Sequence, residues 1–359
     1  MPVFKAETLK RISEEIFKAY GAPAEEAKLV SEFLVRANLC GHDSHGVIRV
    51  IQYVKAIEDG LLKPGVKIEV VRETSSSALI KGNWGFGQVI AKRAMELAIE
   101  KARKSSVSVV CAFDIYHIGR LADYTMLAAE KNMIGIAMVN STATVAPYGG
   151  RERLISTAPV SYAFPTGKEN LFVLDIATSV CAEGKVRVAL HKGVKLPEGC
   201  IIDKEGNPST NPADLYDGGA ILPLGGDLVG YKGFGLGLVV EVMAGILSNA
   251  GCAYEANKKG NGVFFEVINI EDFMSVDEFK NRIDALIRRI KSSKLRPGFK
   301  EILLPGEPEL KTKMKRMKGG IYIPERTWNE MMKIADKKGI DVAGLLSENE
   351  DPLLNESPD

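Results

Sequence analysis

"GQVIAKRAMELAIEKARKSSVSVVCAFDIYHIGRLADYTMLAAEKNMIGIAMVN", residues 87–140, decides the fold class of this chain. Residues 87–105 and 120–132 carry apolar side chains at helical spacing, which predicts two helices. An apolar run follows each of them, at 107–113 and at 134–140, and predicts a strand. Two more strands are predicted upstream, at 67–71 and 77–82. This alternation of helices and strands predicts an α/β core.

Helical patterns flank this core on both sides, with a less regular region between. Residues 141–232 hold short apolar runs among many glycines and prolines and predict little regular structure. The tail "SENEDPLLNESPD" is acidic, and we expect it to be frayed. The remaining predicted elements are helices at 7–21, 24–41, 235–250, 276–294 and 325–338, and a buried strand at 262–270.

Composition limits the possible classes of function. The chain has 359 residues, a net charge of +1 and 45% hydrophobic residues, which is typical of a globular protein and not of one that binds nucleic acid. The N-terminus lacks an apolar signal region, and we expect no membrane-spanning stretch. Five cysteines without a C-x-x-C pair predict reduced, mostly buried thiols. A cytoplasmic location is the resulting expectation.

The stretch "GHDSHGVIRV", residues 41–50, holds two of the four histidines in the chain. If this turn is helical, the i to i+4 spacing places His45 and Arg49 on one face. A guanidinium grips a carboxylate through two hydrogen bonds, and an imidazole exchanges protons near neutral pH. The pair therefore suggests acid–base chemistry on an acidic substrate. A helix-capping histidine beside a surface arginine is the alternative.

Two further polar residues lie at the ends of predicted strands. His117 follows a strand and precedes a helix, where α/β proteins commonly bind ligands, although it is equally consistent with a polar loop residue. Asp175 ends the apolar run "LFVLDIA" and should be paired. Its partner is expected to be either an imidazole N–H or the amide of Thr178 in an N-cap.

Tests for a dinucleotide fingerprint and for a metal site give weak signals. "GFGLGL", residues 233–238, has no preceding strand and lacks the third glycine of a Rossmann motif. The wider glycine-rich stretch opens onto a helix, so with Lys232 it either holds an anion or allows close helix packing. His42 and His45 are three residues apart without an acidic partner at zincin spacing, and we expect no metal.

Taken together, these segments resemble the malate/L-lactate dehydrogenase family that lacks a Rossmann fold. That family also includes sulfolactate, ureidoglycolate and diketogulonate oxidoreductases and hydroxycarboxylate dehydrogenase B. The similarity runs from the N-terminal helices to "LPGE", and it lies in the order and spacing of the segments. The matching segments are "SHGVIRV" with Tyr53, "HIGRLADY", "VNSTATVAPYGG", "LDIATS" followed by Gly184–Lys185, "LPLGG", "GYKGFGL" followed by "LS", and "LPGE".

The resemblance implies a fold and an activity. It implies an α/β (α+β) architecture with a mixed β-sheet NAD(P)-binding domain, flanking helices and no Rossmann topology. We place an N-terminal helical segment at 1–65, the sheet domain at 66–277 and a C-terminal helical segment, which packs back on the first, at 278–359. The implied protein is a homodimer with its site near the subunit interface. Its implied activity is that of an NAD- or NADP-linked dehydrogenase of 2-hydroxy acids, such as malate, lactate or a related hydroxycarboxylate.

The resemblance also implies roles for individual residues. His45 is implied as the proton donor and Arg49 as the clamp for the substrate carboxylate, with Ser44 beside them. His117 corresponds to a second site histidine, and Asp175 to an aspartate near the proton donor. The implied cofactor contacts are His45, Gly119, Arg120, Leu121, Asn140, Asp175, Ile176, Ala177, Thr178, Ser179, Lys232, Asn261, Gly306, Glu307, Pro308 and Glu309.

The chain departs from the family pattern at two places. Many members carry "SNH" where this chain has Ile115-Tyr116-His117, and "GTNP" where it has Ser156–Pro159. The segment "HIGRLADY" is closer to hydroxycarboxylate dehydrogenase B than to malate enzymes. Two alternatives therefore stay open: a nucleotide-binding regulatory protein that lost catalysis on the same fold, and a metal-dependent lyase or hydrolase built on His42 and His45. Arg120 and Lys185 either meet the 2′-phosphate of NADP or are solvated.

Overall fold

The computed structural model describes residues 3–255 and 258–347. Its centre is a seven-stranded sheet with the order β2-β3-β4-β11-β5-β6-β7. The strands are β1 Val3–Phe4, β2 Glu69–Glu73, β3 Ser77–Lys81, β4 Val107–Ile115, β5 Met133–Asn140, β6 Val160–Phe164, β7 Phe172–Ile176, β8 Ile201–Ile202, β9 Pro208–Ser209, β10 Ala220–Ile221, β11 Asn261–Asn269 and β12 Ile321–Tyr322.

Helices cover the sheet and extend from both of its ends. They are α1 Ala6–Ala19, α2 Ala24–Leu39, α3 Arg49–Glu58, α4 Gly87–Ser105, α5 Ala122–Ala129, α6 Glu183–Lys192, α7 Pro212–Tyr216, α8 Gly226–Val240, α9 Val276–Lys291, α10 Glu307–Gly319, α11 Glu325–Asp336 and α12 Val342–Ser347. Helix α8 continues directly into a π-helical segment, Glu241–Leu247.

The sheet is mixed, as the sequence predicts. Strands β3 and β4 pair in parallel, and every other pairing in this sheet is antiparallel within the described residues. Strand β11 lies between β4 and β5, so that Phe265 stands opposite Val110 on one side and Ala137 on the other. A doubly wound sheet would be parallel throughout its centre. The predicted α/β class without a Rossmann topology is therefore confirmed.

Helix α4 packs closely on one face of the sheet because its inner face is made of small residues. Ala91, Ala94, Ala98 and Ala102 are completely buried against a cluster that includes Phe265. On the opposite face, a second cluster joins the end of α8 and the π-helical segment to β4 and β11. The central strands are thus buried on both sides, which explains their nearly continuous apolar sequences.

The N-terminal and C-terminal helices share one apolar cluster. Strand β1 pairs with β12, with Phe4 opposite Ile321. Buried side chains of α1 to α3, among them Tyr53, contact those of α11, among them Met331. The division into three segments remains a prediction, and these contacts join the described parts of its first and last segments.

The region 141–232 is more regular than the sequence predicts. A second sheet with the order β10-β8-β9 packs with α6 and α7 around its own small apolar cluster. Each of its strands has two residues, and so short a strand shows no alternating pattern in a sequence.

The predicted helix at 235–250 begins earlier than expected. Helix α8 starts at Gly226, with a kink at Val229, so the glycine-rich stretch lies inside the helix instead of leading into it. A side chain at Gly233 would place its Cβ 2.4 Å from the carbonyl oxygen of Leu224. Of the two functions left open for these glycines, close packing explains Gly233.

The expectation that no stretch approaches a membrane span needs a correction. The helical stretch Gly226–Leu247 has 22 residues and a mean hydropathy of 1.4, so its length and composition alone are sufficient to cross a bilayer. Such evidence from a single helix is weak, since core helices pass the same test.

Candidate active site

The turn that carries His45 is shaped by the buried amide of Asn38. Asn38 lies near the end of α2, and its Oδ1 accepts a hydrogen bond from the amide of Val47 at 2.8 Å. Its Nδ2 donates to Asp43 at 2.7 Å. A Cβ on Gly46 would lie 2.1 Å from Asn38 Oδ1, so only glycine fits there. The sequence between the two glycines therefore folds as a short 3₁₀ turn, Asp43–His45.

A residue from the far end of the chain stabilises this turn. Arg316, on α10, donates from Nη1 and Nη2 to the two carboxylate oxygens of Asp43, at 2.6 and 3.0 Å. The same guanidinium donates to the carbonyl of Asn38. A bidentate pair of this kind fixes both position and orientation. The C-terminal part of the chain thus holds the candidate site in place.

His45 and Arg49 do not share one helix, contrary to the premise of the spacing argument. His45 ends the 3₁₀ turn, Gly46 is extended, and Arg49 begins α3. Arg49 Nε donates to the carbonyl of Ser44 at 2.6 Å, and its Nη1 donates to Gln52 Oε1. The Ser44 hydroxyl lies 3.1 Å from His45 Nδ1. The three predicted residues are nevertheless neighbours, because the side chain of Arg49 folds back onto the turn.

His117 completes this group. Its ring is stacked on that of His45, with centroids 5.4 Å apart and planes inclined by 27°. Tyr53 Oη lies 2.7 Å from His117 Nδ1, and Gln88 Nε2 donates to the same hydroxyl at 2.7 Å. Four predicted site residues, Ser44, His45, Arg49 and His117, therefore meet in one place. Sequence reasoning missed the role of Gln88, since a glutamine in an ordinary helix gives no signal.

The surroundings of both imidazoles disfavour the protonated ring. Burial lowers the pKa of His45 to about 3, and the positive charges of Arg49, His42 and Arg120 lower it further. Burial and the charge of Arg49 also lower the pKa of His117 well below its usual value. A bound anion would oppose these effects, because an opposite charge favours the protonated ring.

Asp175 pairs differently from both expectations. Its Oδ2 accepts a hydrogen bond from the amide of Ala122, in the first turn of α5, at 2.8 Å. The amide of Thr178 donates to the carbonyl of Thr157 instead of to Asp175. Burial raises the pKa of the Asp175 carboxyl, and the bond from Ala122 and the charge of Arg120 partly oppose this. Neither an N-cap nor an imidazole partner is present among the described residues.

An open cleft of about 280 Å³ lies beside Asp175. One wall comes from β7 and the other from the start of α10, where Gly306 has a φ of +92°. Arg120 reaches the cleft while its Nη1 donates to Asp123 at 3.0 Å. Its Nε is buried without a hydrogen-bond partner. The predicted cofactor residues that line this cleft are Arg120, Asp175, Ile176, Gly306, Pro308 and Glu309.

Two predicted cofactor residues lie instead in a buried polar network. Asn140 Oδ1 accepts from Gly262 and from Lys258, and its Nδ2 donates to Glu241 and to Gly251. Asn261 Nδ2 donates to the carbonyl of Asn140 at 3.0 Å, and its Oδ1 accepts from the amide of Ile118 at 3.0 Å. Both side-chain amides are thus occupied by protein partners. Their contact with a cofactor stays a prediction.

The family departure at Ser156 belongs to the same network. The amide and hydroxyl of Ser156 both donate to Glu241 Oε1, at 3.2 and 2.9 Å. Glu241 begins the π-helical segment and is buried. Ser156 therefore supplies hydrogen bonds to a buried carboxylate, which is a structural reason for a hydroxyl at this position.

The other predicted residues are dispersed around the cleft and the sheet. Thr178 and Ser179 are buried, and their hydroxyls donate to the carbonyls of Thr157 and Cys181. Glu307 accepts from Lys291 and from the amide of Leu304. Lys232 is exposed on α8, Gly119 has a φ of +79°, Leu121 is buried, and Ala177 follows β7 half-buried.

The two histidines of the turn have different surroundings. His42 Nε2 lies 3.5 Å from Glu309 Oε1, at the cleft, whereas His45 stacks on His117. In residues 3–255 and 258–347 no three His, Cys, Asp or Glu side chains form a group able to hold a metal ion. The described cysteines are all free thiols, and four of the five are buried.

Comparisons with known proteins agree with this architecture. The family described as malate/L-lactate dehydrogenase matches residues 4–332. A malate dehydrogenase of Pyrococcus horikoshii is 44% identical over 329 residues, covering 89% of this chain and 91% of the relative. An L-sulfolactate dehydrogenase of Methanocaldococcus jannaschii is 39% identical over 346 residues, covering 95% and 98%. The crystal structure of a malate dehydrogenase from Entamoeba histolytica superposes with a TM-score of 0.91 at 30% identity, covering 94% and 98%.

The chain belongs to the malate/L-lactate dehydrogenase family. It is an oxidoreductase that acts on the CH–OH group of hydroxy acids, and more narrowly a 2-hydroxyacid dehydrogenase. The resemblance inferred from the sequence motifs is therefore confirmed.

The ion pair behind the cleft gives a test of stability. Asp123 is 1% exposed and faces Arg120 at 3.0 Å and Arg36 at 3.6 Å. Asp123→Ala leaves the buried guanidinium of Arg120 without a counter-charge, so we expect the free energy of unfolding to fall by about 3–5 kcal/mol. Asp59→Ala, which removes an exposed partner of Lys55, should cost about 0–1 kcal/mol. Urea unfolding measures both, and equal losses would contradict this account of Asp123.

Proposed function

We propose that the chain is an NAD- or NADP-dependent 2-hydroxyacid dehydrogenase in which Arg49 binds the substrate carboxylate and His45 exchanges the proton of the reacting hydroxyl. The observation that carries the proposal is the fixed guanidinium beside two stacked imidazoles. Arg49 is held by the carbonyl of Ser44 and by Gln52, and His45 lies against His117. Three groups suited to an acidic, hydroxylated substrate thus converge.

Arg49 retains free donors for a substrate. Its Nε and Nη1 are engaged, whereas its Nη2 makes no hydrogen bond to any part of the chain that the structure describes. The bond from Nε to Ser44 holds the planar group in place, so little conformational entropy is lost when a carboxylate binds. Arg49 therefore acts as a rigid clamp and not as a mobile surface charge.

The protonation of His45 depends on the charge of the bound substrate. In the free protein burial and the charge of Arg49 lower the pKa of His45 to about 3, which favours the neutral ring. A substrate carboxylate on Arg49 offsets that positive charge and favours a protonated ring. In the direction of reduction His45 then donates its proton to the keto oxygen. In the direction of oxidation the neutral ring accepts the proton of the hydroxyl.

The residues of the cleft fit a nicotinamide dinucleotide. Arg120 has a buried Nε with no partner, which a phosphate oxygen would satisfy. Gly306, whose φ of +92° allows the chain to turn into α10, lies at the same cleft. When bound, the nicotinamide accepts or supplies the hydride. Arg120 would hold the pyrophosphate part, and Asp175 lies at the opposite wall from Gly306.

Absorbance at the reduced-nicotinamide band tests this activity. We expect NADH or NADPH to be consumed with at least one member of a panel of 2-oxo acids that includes oxaloacetate, pyruvate and sulfopyruvate. Cofactor binding without turnover on any member would favour the regulatory alternative. Activity that is lost with a chelator and needs no nucleotide would favour the metal-dependent one.

Substitution of His45 tests the proton donor. We expect His45→Ala to lower kcat by about 10²–10⁴-fold, the usual contribution of general acid catalysis, and to leave cofactor affinity nearly unchanged. In the unaltered protein, kcat/KM for reduction should fall about tenfold per pH unit across roughly pH 6 to 8, because the free ring is neutral there and must take up a proton. For oxidation, His45 should cause no fall of kcat/KM over this pH range, because the neutral ring is the form that accepts the proton.

Steady-state kinetics in both directions and a cofactor titration provide the measurements. His117→Gln serves as the comparison, since it should leave the pH dependence assigned to His45 in place, whatever its effect on kcat. A near-normal kcat for His45→Ala, or a pH dependence that persists unchanged in that variant, would show that another group donates the proton.

Substitution of Arg49 tests the clamp. Arg49→Lys keeps the charge but loses the planar fork, so we expect the KM of the keto acid to rise roughly 10- to 100-fold with a much smaller effect on the Kd of the cofactor. Arg93→Lys, an exposed change on α4, is the matched control and should alter neither value. Equal losses of keto acid and cofactor affinity in Arg49→Lys would refute the assignment.

The proposal includes a homodimer and a cytoplasmic location. Part of the stretch Gly226–Leu247 presents large apolar side chains to solvent, including Leu228, Val242 and Ile246, which are 86%, 50% and 61% exposed. An exposed apolar helix face of this kind is typical of an interface with another protein. A second copy of the chain is the occupant that the family resemblance implies.

A charge on this face tests the dimer. Ile246 is 61% exposed and lies four residues after Val242, so Ile246→Glu introduces a carboxylate into the exposed apolar face. We expect it to convert a dimer of the unaltered chain into a monomer in light scattering. Leu286→Glu, at a residue 55% exposed on α9, should leave the dimer intact. A monomeric unaltered chain would overturn this part of the proposal.

A further inference from the structure

A chain of three buried or half-buried groups leads away from the stacked histidines into the protein. Tyr53, on α3, is completely buried, and so is Gln88, in the first turn of α4. Gln88 Nε2 lies 2.7 Å from Tyr53 Oη, which in turn lies 2.7 Å from His117 Nδ1. The proposed function uses neither Tyr53 nor Gln88.

The direction of donation in this chain fixes the tautomer of His117. The amide of Gln88 donates to the Tyr53 oxygen, so the single phenolic proton is free to be donated elsewhere. Two acceptors are within reach: His117 Nδ1 at 2.7 Å and the carbonyl of His117 at 3.4 Å. The shorter bond is the stronger one, so Nδ1 is the acceptor. A neutral ring that accepts at Nδ1 carries its proton on Nε2.

The surroundings of Gln88 favour this orientation of its amide. As it stands, its Oε1 is buried without a partner. With the amide reversed, Oε1 would accept from Tyr53 and the NH₂ group would lose the one hydrogen bond that it makes to a described residue. Buried N–H groups without partners are rarer than carbonyl oxygens without partners. The donor orientation is therefore the less costly of the two.

We propose that Gln88 is a positioning residue which, through Tyr53, holds neutral His117 in the Nε2–H tautomer, so that His117 presents a fixed hydrogen-bond donor to the substrate oxygen. Nε2 makes no hydrogen bond to any residue within 3–255 and 258–347. The ring is half-buried and lies against His45, and the charge of Arg49 contributes to lowering its pKa. The free nitrogen thus belongs to the same group of side chains.

This assignment separates the tasks of the two imidazoles. A neutral imidazole N–H can stabilise negative charge that develops on an oxygen without losing its proton. His45 then moves the proton, and His117 donates a hydrogen bond throughout. The value of that donor rests on the proposed function, but the tautomer itself does not.

The tautomer is measured directly by nitrogen NMR on the full-length protein labelled with ¹⁵N-histidine. The chain has four histidines, and the resonances of His117 are those lost in His117→Gln. We expect a protonated Nε2 and an unprotonated Nδ1 in the unaltered protein. A protonated Nδ1 at neutral pH, or a doubly protonated ring, would overturn the proposal.

Gln88→Glu should reverse the tautomer. A carboxylate at this position accepts a hydrogen bond from the Tyr53 hydroxyl. The Tyr53 oxygen must then accept a hydrogen bond from His117, so the ring proton moves to Nδ1. We expect kcat to fall about 10²–10³-fold, the usual cost of losing one donor to a developing oxyanion. Asn170→Asp, the same change at an exposed residue, should alter neither the tautomer nor kcat. An unchanged tautomer in folded Gln88→Glu, measured at a pH at which the new carboxyl is ionised, would refute the role of Gln88.

A second variant keeps the test decisive if a buried glutamate prevents folding. Tyr53→Phe keeps the ring and removes the hydroxyl, so Nδ1 loses its donor and we expect a mixture of both tautomers. A single Nε2–H tautomer in this variant would also refute the proposal. Because the NMR readout needs no turnover, the expected tautomer in a protein inactive on every 2-oxo acid would overturn the proposed function and leave this inference standing.

Discussion

The geometry of the candidate site depends on one buried amide, that of Asn38. Its oxygen receives the amide of Val47 and its nitrogen holds Asp43, so the chain between them has room for a single tight turn. Gly46 is needed because any side chain there would collide with that amide. This turn aims His45 at His117, and its carbonyl at Ser44 holds the guanidinium of Arg49. Without the amide of Asn38, nothing would hold His45 and Arg49 in a fixed arrangement beside His117.

The second theme of the site is the positive charge close to His45, of which Arg49 forms no ion pair with any described residue. Arg49, Arg120 and His42 all act on His45, and together with burial they keep its ring neutral. Such a field favours the entry of an anion. A hydroxy acid and a pyrophosphate are both anions, so the same field serves both ligands proposed for the site. The charge of Arg49 that attracts an anion also contributes, with burial, to the low pKa of both imidazoles in the free protein.

The sequence was sufficient for some features, and physical reasons explain why others were missed. The alternation within residues 87–140 predicted the α/β core, because each helix and strand there is long enough to show its own period. The insertion of β11 between β4 and β5 was not predictable, since it is a pairing between distant segments. His45 and Arg49 were expected to meet, but through one helix and not through a turn and a folded-back side chain. Gln88 and Tyr53 are 35 residues apart, and only the packing of their helices reveals the contact.

The pairing of β1 with β12 also constrains the order in which a nascent chain becomes competent. The helices that carry Asn38 and Arg49 bury their apolar sides against residues near 321–342, and Arg316 secures the turn at Asp43. During synthesis those partners leave the ribosome long after α2 and α3. The central sheet has all its strands by residue 269, so it is able to collapse first, as domains generally do during translation. Helices α2 and α3 are therefore fixed in place only after residues 316–342 have emerged. A chain that stops before them carries His45 and Arg49 without the contacts that hold these residues together.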